Sequence, residues 1–300
     1  MMAHRYLVTG TEGQVVGALL EKAAGRDDIE IVLIGLPELD LSDTTKIAPA
    51  IEALKPDVIL SVAAYTAVDA AETDEALALA INGTALGEIG RAAARLGVPV
   101  VHLSTDYVFD GEKPAPYVET DPTGPVGAYG RTKLAGELAL AAATPDHAIL
   151  RTAWVYSPFG KNFVKTMLRL AETRDRVGVV ADQIGNPTSA LDIAEAMLVV
   201  AGNLLAAPDP TLRGLFHMTG TGEAAWADFA AEIFRVSAAC GGPSAEVERI
   251  PTSAYPTPAR RPTNSRLDCG KLERVHGVRL PAWTESTEVV VRRLVGGQPA

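Results

Sequence analysis

Cys240 and Cys269 are the only cysteines in 300 residues, too few for a disulfide framework and without the Cys-x-x-Cys spacing of a zinc or dithiol site. A reducing, cytoplasmic setting is the expectation. Also missing is any stretch of ~20 uninterrupted apolar residues, so no membrane partner is expected. The opening Met1-Met2-Ala3-His4-Arg5 passes directly into Tyr6-Leu7-Val8 and carries no apolar signal-peptide core. Positive charge is in deficit. Against 37 Asp and Glu stand 27 Lys and Arg, a net −10, so nucleic acid would meet an unfavourable average field. A small phosphorylated ligand needs only a local basic pocket and is not excluded. Gly (27) and Pro (20) stay well below the roughly one-quarter share of low-complexity chains, which removes collagen-like and linker-dominated readings.

What is present is a chain with 47% hydrophobic and 21% charged residues, enough to bury a core in one large domain or two intimate ones. Short apolar runs ending in Gly, Ser or Thr alternate with longer Ala/Leu/Glu-rich segments, the pattern of βα units. Strands are predicted at Tyr6–Thr9, Glu30–Ile34, Val58–Ser61, Val98–Ser104, Ala148–Thr152 and Phe216–Met218. Helices are predicted at Gln14–Ala24, Thr44–Leu54, Asp69–Ile81, Thr84–Leu96, Tyr129–Ala143, Asn162–Ala171, Ala190–Leu205 and Trp226–Ala238. Val58-Ile59-Leu60 is apolar throughout, as befits a strand covered on both faces. The expected fold is therefore α/β, a Rossmann-type doubly wound parallel sheet with ligands beyond the strands' C-terminal ends. After about Trp154 the pattern loosens, and the stretch 241–268, rich in Pro, Arg and Ser, reads as irregular. The expectation there is a smaller C-terminal substrate-binding lobe.

The first strand ends in Thr9-Gly10-Thr11-Glu12-Gly13-Gln14-Val15-Val16-Gly17 and runs into a helical pattern. Gly10 and Gly13 permit a tight turn and close backbone approach, so the helix N-terminus can meet a pyrophosphate. The third glycine of the usual spacing arrives one residue late, at Gly17 instead of Val16. After the second strand comes Gly35-Leu36-Pro37, with neither the acidic residue that favours a ribose hydroxyl nor an arginine for a 2′-phosphate. NADPH and NADH both remain open as cofactors. Asp40 and Leu41 could border the adenine, while Ser42 or Asp43 could cap the following helix.

Tyr129 and Lys133 are four residues apart at a helix start, so both project from one face. That arrangement suits a tyrosine proton donor whose pKa a neighbouring ammonium lowers. Ser104 or Thr105, at the end of the preceding strand, could hydrogen-bond the same carbonyl oxygen. Elsewhere the residues suggest structural roles: Asn162 caps a helix or faces the nucleotide, the cap being favoured, and Glu119 and Asp121 form a turn before Pro122. Arg260 and Arg261 lie in a Pro-fixed loop where a guanidinium could meet phosphates. The histidines at 4, 102, 147, 217 and 276 have no metal-ligand spacing, and core or surface roles suffice for them.

Ser104-Thr105-Asp106-Tyr107-Val108-Phe109-Asp110-Gly111 followed by Tyr129-x-x-x-Lys133 resembles the dTDP-4-dehydrorhamnose reductase family of extended short-chain dehydrogenase/reductases. So do Ala63-Ala64-Tyr65-Thr66-Ala67-Val68-Asp69, Arg151-Thr152-Ala153-Trp154-Val155-Tyr156, Asp182-Gln183-x-Gly185-x-Pro187-Thr188, and the run from Tyr255 to Asp268. The resemblance implies NAD(P)H-dependent reduction of the 4-keto group of dTDP-4-dehydro-β-L-rhamnose to dTDP-L-rhamnose. It matches Tyr129 to the proton donor and Lys133 to its ribose-binding partner. Thr105, Asp106, Trp154 and Arg261 match substrate-contacting positions, and Gly10, Gly13, Gln14, Val15, Asp40, Leu41, Ala63, Ala64 and Tyr65 match cofactor-contacting ones. Residues 1–155 would form the NAD(P)-binding domain, continued by 186–220, with 156–185 and 221–300 as the substrate lobe. Ser61 stands where the family often has Asn, and Ala18 where some members have a metal-holding glutamate. No metal is therefore carried over; the partner is a dTDP-sugar, with a homodimer as the assembly considered. Rival readings keep the fold: another nucleotide-sugar reductase, an epimerase or dehydratase that recycles its NAD(P), and a non-catalytic regulatory subunit.

Overall fold

The computed structural model describes residues 3–296. In chain order the first half runs β1 (His4–Thr9), α1 (Gln14–Ala23), β2 (Ile29–Ile34), α2 (Thr44–Leu54), β3 (Val58–Ser61), α3 (Val68–Ala71), α4 (Glu75–Leu79), a π turn (Ala80–Thr84), α5 (Ala85–Leu96), β4 (Val100–Thr105), a 3-10 turn (Asp106–Val108), α6 (Ala128–Ala143) and β5 (His147–Thr152). There follow β6 (Val155–Tyr156), α7 (Phe163–Ala171), β7 (Arg176–Val180), β8 (Ile184–Gly185), β9 (Thr188–Ser189), α8 (Ala190–Ala206), β10 (Gly214–His217), β11 (Ala224–Ala225), α9 (Trp226–Ala239), β12 (Glu246–Ile250), α10 (Gly270–His276) and α11 (Trp283–Gly296).

Six strands form one parallel sheet in the order β10-β5-β4-β3-β1-β2. The chain steps outward from β1 to β2, then crosses back to β3 on the other side of β1. In open α/β sheets ligands bind at such a reversal, beyond the strands' C-terminal ends, here those of β1 and β3. Strand residues alternate between two cores, as a two-sided sheet requires. Tyr6, Val8, Val58 and Leu60 join the core under α1 and α8. Leu7 and Ile59 join the core under α2 and α5. The first of these cores continues without a break into α9, α10 and α11, so the later elements are packed onto the sheet. Among the described residues no helix is long and apolar enough to cross a membrane.

The central strands and most helices lie within a residue or two of the sequence expectation; three departures are informative. The helix expected over Asp69–Ile81 is divided into α3, α4 and a π turn. Thr73 and Asp74 interrupt it first, both amides bonding back to the Ala70 carbonyl, and Asn82-Gly83-Thr84, poor in helix propensity, carries the π turn. The stretch expected to be irregular holds β12, which pairs in parallel with β7. Its alternating residues are largely exposed, so the apolar signal that reveals a strand is missing. Finally, α11 opens on Trp-Thr-Glu-Ser-Thr and continues through three valines, β-branched residues that disfavour helix. Burial of Val290 and Val291 in the shared core overrides that propensity.

Two glycines let α6 sit closer to its neighbours than any other residue would. A Cβ at Gly130 would overlap the Tyr107 carbonyl, and one at Gly136 would overlap the Asn82 carbonyl of the π turn. Gly136→Ala is accordingly expected to lower unfolding stability by about 1–3 kcal/mol, read by denaturant titration. An unchanged midpoint would mean that α6 can move away from the π turn at no cost.

Candidate active site

The turn between β1 and α1 makes a cradle at this reversal. Gly10 and Gly13 have φ of 97° and 120°, a region other residues avoid. Gly35, following β2, packs so closely that a Cβ there would stand 3.0 Å from the Gly10 Cα and 3.1 Å from the Thr11 nitrogen. The buried Thr9 hydroxyl accepts from the Val62 and Ala63 amides at 3.0 and 3.1 Å, locking the end of β1 to the segment after β3. At the start of α1 the N-cap position is Gly13, and no side chain caps the helix. Its first amides, which have no acceptor within the helix, therefore face the cradle.

The other cofactor-matched residues divide by how they can act. Gln14 commits its side chain to structure: its Oε1 accepts from Ser157 Oγ (2.9 Å) and Asn162 Nδ2 (3.0 Å). Val15 is buried in the core, so both it and Gln14 have only backbone to offer. Gly17, the late glycine, leaves room for Phe159, whose Cγ would stand 2.9 Å from a Cβ there. Its spacing thus serves packing against a later loop. Asp40 folds back to accept from the Ser42 amide at 2.8 Å, and Leu41 packs on the core under α2. Asp43 occupies the N-cap position of α2 but makes no cap bond. Tyr65 is held through its backbone, its amide donating to Asn82 Oδ1 (2.8 Å) and its carbonyl accepting from Asn82 Nδ2 (3.1 Å). Its ring and that of Tyr129 pack against Ala71, Ala78 and Ala128.

At the end of β4 the structure brings Thr105, Asp106 and Tyr129 together. Thr105 Oγ1 donates to Asp106 Oδ1 at 3.0 Å, whereas Asp106 Oδ2 is buried with no partner. Burial lifts the Asp106 carboxyl from its ordinary 3.8 to about 6, with the Ser265 and Thr105 hydroxyls pulling it down. Tyr129 stands edge-on to Tyr107, ring centroids 5.5 Å apart. Its phenol is pushed up from its ordinary value by burial first and by the Asp106 carboxylate next, against the Thr105 hydroxyl nearby.

That direction corrects the expectation that Lys133 lowers it. Lys133 is on the same helix but turned inward, its ammonium donating to the Leu103 carbonyl at 2.8 Å and to His102 Nε2 at 3.0 Å. Burial lowers the lysine to about 8, opposed by Glu137. The spacing of four residues fixes a shared helix face, but not which partner a long side chain finds there.

Two further sequence-matched residues are anchored by their surroundings. Trp154 adopts a left-handed backbone, φ 48°, a strain that persists only where neighbours impose it. Trp226 stacks on it at 3.6 Å, and Gly185 makes room, since a Cβ there would lie 2.5 Å from the Trp154 ring. Arg261 donates to Asp69 Oδ2 (2.8 Å) and to the Tyr107 hydroxyl (3.0 Å), so it ties the late loop to the site through α3. Asn162 caps α7, its side chain accepting from the Lys165 amide. Asp121 accepts from the Val118 amide, the turn role expected of it, whereas Glu119 reaches across to accept from the His217 amide of β10.

With this geometry in hand, the comparisons are specific. Residues 4–295 match the family model described as RmlD substrate binding domain. A dTDP-4-dehydrorhamnose reductase of Sinorhizobium fredii is 54% identical over 97% of this chain and 96% of that protein. The chain belongs to the dTDP-4-dehydrorhamnose reductase family. The crystal structure of a dTDP-4-dehydrorhamnose reductase from Clostridium acetobutylicum superposes with a TM-score of 0.90 at 37% identity, over 97% of this chain and 99% of that one. The Bacillus anthracis dTDP-4-dehydrorhamnose reductase in complex with NADP gives 0.88 at 31% identity, over 96% and 99%. The fold is thus the Rossmann-type fold of this reductase family.

Sequence reading missed three residues that shape the reductase-family site. Asn82 bonds Tyr65 on one side and Thr132 Oγ1 of α6 at 3.2 Å on the other, and its only signal was a polar triplet inside an apolar helical run. Trp226 carried no signal, because its stacking on Trp154 is long-range. Glu137 accepts from Arg151 Nε (2.9 Å) and Nη2 (2.6 Å) and from Ser104 Oγ (2.5 Å), a buried network that spacing alone does not foretell.

The raised pKa of Asp106 has a stability consequence. A carboxyl whose folded pKa lies above its unfolded value binds extra protons when folded, so its contribution falls as pH rises from about 4 to 6 and stays unfavourable above that. The difference in unfolding free energy between wild type and Asp106→Asn is expected to change by on the order of 3 kcal/mol across that window, wild type losing ground as pH rises. Parallel curves in urea titrations at pH 4 and 7 would show that Asp106 keeps an ordinary pKa.

Proposed function

We propose that the protein reduces the 4-keto group of dTDP-4-dehydro-β-L-rhamnose to dTDP-L-rhamnose with NADPH or NADH. The observation that carries this reading is the convergence of a glycine cradle at the β1–β3 reversal with Thr105, Asp106 and Tyr129 at the end of the neighbouring β4. When bound, the nicotinamide cofactor supplies the hydride. Gly10, Gly13 and the backbone of Gln14 and Val15 hold its diphosphate at the uncapped start of α1. The segment Ala63-Ala64-Tyr65, locked to β1 through Thr9, borders it, as do Asp40 and Leu41 on the side of β2. Lys133, its ammonium held by His102 and the Leu103 carbonyl, would bind the ribose with its remaining N–H.

Tyr129 holds the proton destined for the C4 oxygen. Its raised pKa keeps the phenol protonated until a developing alkoxide draws the proton across. Thr105 hydrogen-bonds the same oxygen, and the free Oδ2 of Asp106 accepts from a sugar hydroxyl. Trp154, braced by Trp226, packs against the sugar, and Arg261 stands on the side from which the nucleotide's phosphates approach.

The division into a cofactor domain (1–155 with 186–220) and a substrate lobe (156–185 with 221–300) belongs to the same proposal. The return of α8 and β10 to the central sheet supports it. A cytoplasmic location and assembly as a homodimer complete the reading, the latter to be measured by light scattering.

The decisive assay supplies purified protein with dTDP-4-dehydro-β-L-rhamnose and follows oxidation of NADPH and, separately, NADH. Stoichiometric oxidation with dTDP-L-rhamnose as product is expected, and an absence of net oxidation would overturn the reading. Tyr129→Phe should lower kcat by about 10²–10⁴ while leaving cofactor affinity within about twofold. Equal turnover in that variant would remove Tyr129 from the role of proton donor.

A further inference from the structure

Behind Lys133 lies a histidine that the reaction as described does not use. His102, on β4, is 2% exposed, and Lys133 is 2% exposed as well. The Lys133 ammonium lies 3.0 Å from His102 Nε2. The other ring nitrogen, Nδ1, lies 3.2 Å from the Ser61 carbonyl and 3.1 Å from the Ser61 hydroxyl, at the end of β3. These contacts select one form of the ring. A carbonyl oxygen only accepts, so Nδ1 must carry the hydrogen, and a lysine ammonium only donates, so Nε2 must present its lone pair. The opposite tautomer would set hydrogen against hydrogen at Nε2 and leave Nδ1 without a proton for the carbonyl. A doubly protonated ring would place two positive charges in contact.

We propose that His102 is a positioning residue for Lys133: its neutral Nδ1–H tautomer, locked by Ser61, accepts a hydrogen bond from the ammonium and holds it charged, with one N–H left for the cofactor. The inference rests on the reading of Lys133 as the cofactor-ribose ligand. The surrounding charges explain why a neutral acceptor matters. Glu137, one turn further along α6, is the carboxylate that favours the ammonium, but its oxygens are engaged by Arg151 from β5 and Ser104 from β4. From β5, His147 adds to the effects that disfavour a charge on His102, behind burial and Lys133 itself. The Leu103 carbonyl is the ammonium's other acceptor. Without His102 Nε2, one ammonium N–H would be buried without a partner, and the proton would leave more easily.

The test compares wild type with His102→Phe, which keeps a ring but removes the acceptor, and with His102→Gln, whose amide oxygen can take the place of Nε2. Folding is monitored by circular dichroism and Tm. NADPH affinity is titrated by fluorescence across pH 6–10, kcat and KM are measured with the keto-sugar, and nitrogen-15 shifts report the ring tautomer in wild type. In His102→Phe, NADPH binding is expected to weaken about 10-fold, and its alkaline limb to move about one pH unit lower. His102→Gln should restore most of both, and the nitrogen-15 spectrum should show Nδ1 protonated and Nε2 bare. A wild-type pH profile and affinity in a folded His102→Phe, or a proton on Nε2, would overturn the proposal. Should His102→Phe not fold, the nitrogen shifts and His102→Gln decide, the latter refuting the proposal if its alkaline limb moves as far as a lost acceptor requires. A wild-type protein that binds NADPH but oxidises none with the keto-sugar would refute the substrate reading alone, leaving the binding and tautomer measurements to judge His102.

Discussion

The site depends on how closely α6 is docked against β4, the 3-10 turn and the π turn. Gly130 and Gly136 remove the side chains that would hold the helix off two backbone carbonyls. The bonds that then fix it are polar and directional: Thr132 to Asn82, Lys133 to His102 and Leu103, and Glu137 to Arg151 and Ser104. Burying an ion pair such as Glu137–Arg151 contributes little net stability, because desolvation offsets the attraction. What it supplies here is register. An apolar helix face could slide or rotate by part of a turn at small cost, whereas a face of donors and acceptors has one position in which all are satisfied. Tyr129 and Lys133 ride on that position.

A second constraint joins the early and late parts of the chain. Gln14, at the first turn of α1, receives Ser157 and Asn162, and Gly17 makes room for Phe159. Arg261 reaches back to Asp69 and Tyr107, and the strained Trp154 is wedged between Gly185 and Trp226. Each contact links an earlier element with a later one. The large core that runs from the sheet into α9 and α11 gives these contacts a common base.

These facts also explain which parts could be read from the sequence. The central strands and the cradle were legible because their signals are local: an apolar run, a glycine at a turn, a helix pattern following. Tyr129 and Lys133 were legible as a pair because four residues are one turn. The direction taken by the Lys133 side chain was not, since it depends on His102 and Leu103 from another element. The same holds for the shift on Tyr129, set by burial and by Asp106 across the β4 end, and for Trp226, more than 70 residues from its stacking partner. Among the elements that went unseen, with the short strands β6 to β9 and β11 and helix α10, β12 and α11 stand out as charged on an exposed strand and β-branched in a helix. Their conformation is decided by packing.

On the proposed reading, the electrostatics at the end of β4 bear on the protonation state from which the chemistry starts. Asp106, with a pKa near 6, is mostly ionised at neutral pH, and its charge disfavours a second negative charge on Tyr129. A phenol so placed retains its proton in the resting enzyme and gives it up only to an oxygen acquiring more negative charge than it would bear itself, which is what a ketone becomes as hydride arrives at its carbon. Oxidation of the alcohol would ask the opposite, a phenolate ready to take a proton, formed beside a carboxylate and in a buried setting. The Lys133 ammonium, drawn inward by His102 and Leu103, does not relieve that cost directly at the phenol oxygen. The arrangement therefore rests with the phenol protonated, the form from which keto-group reduction begins.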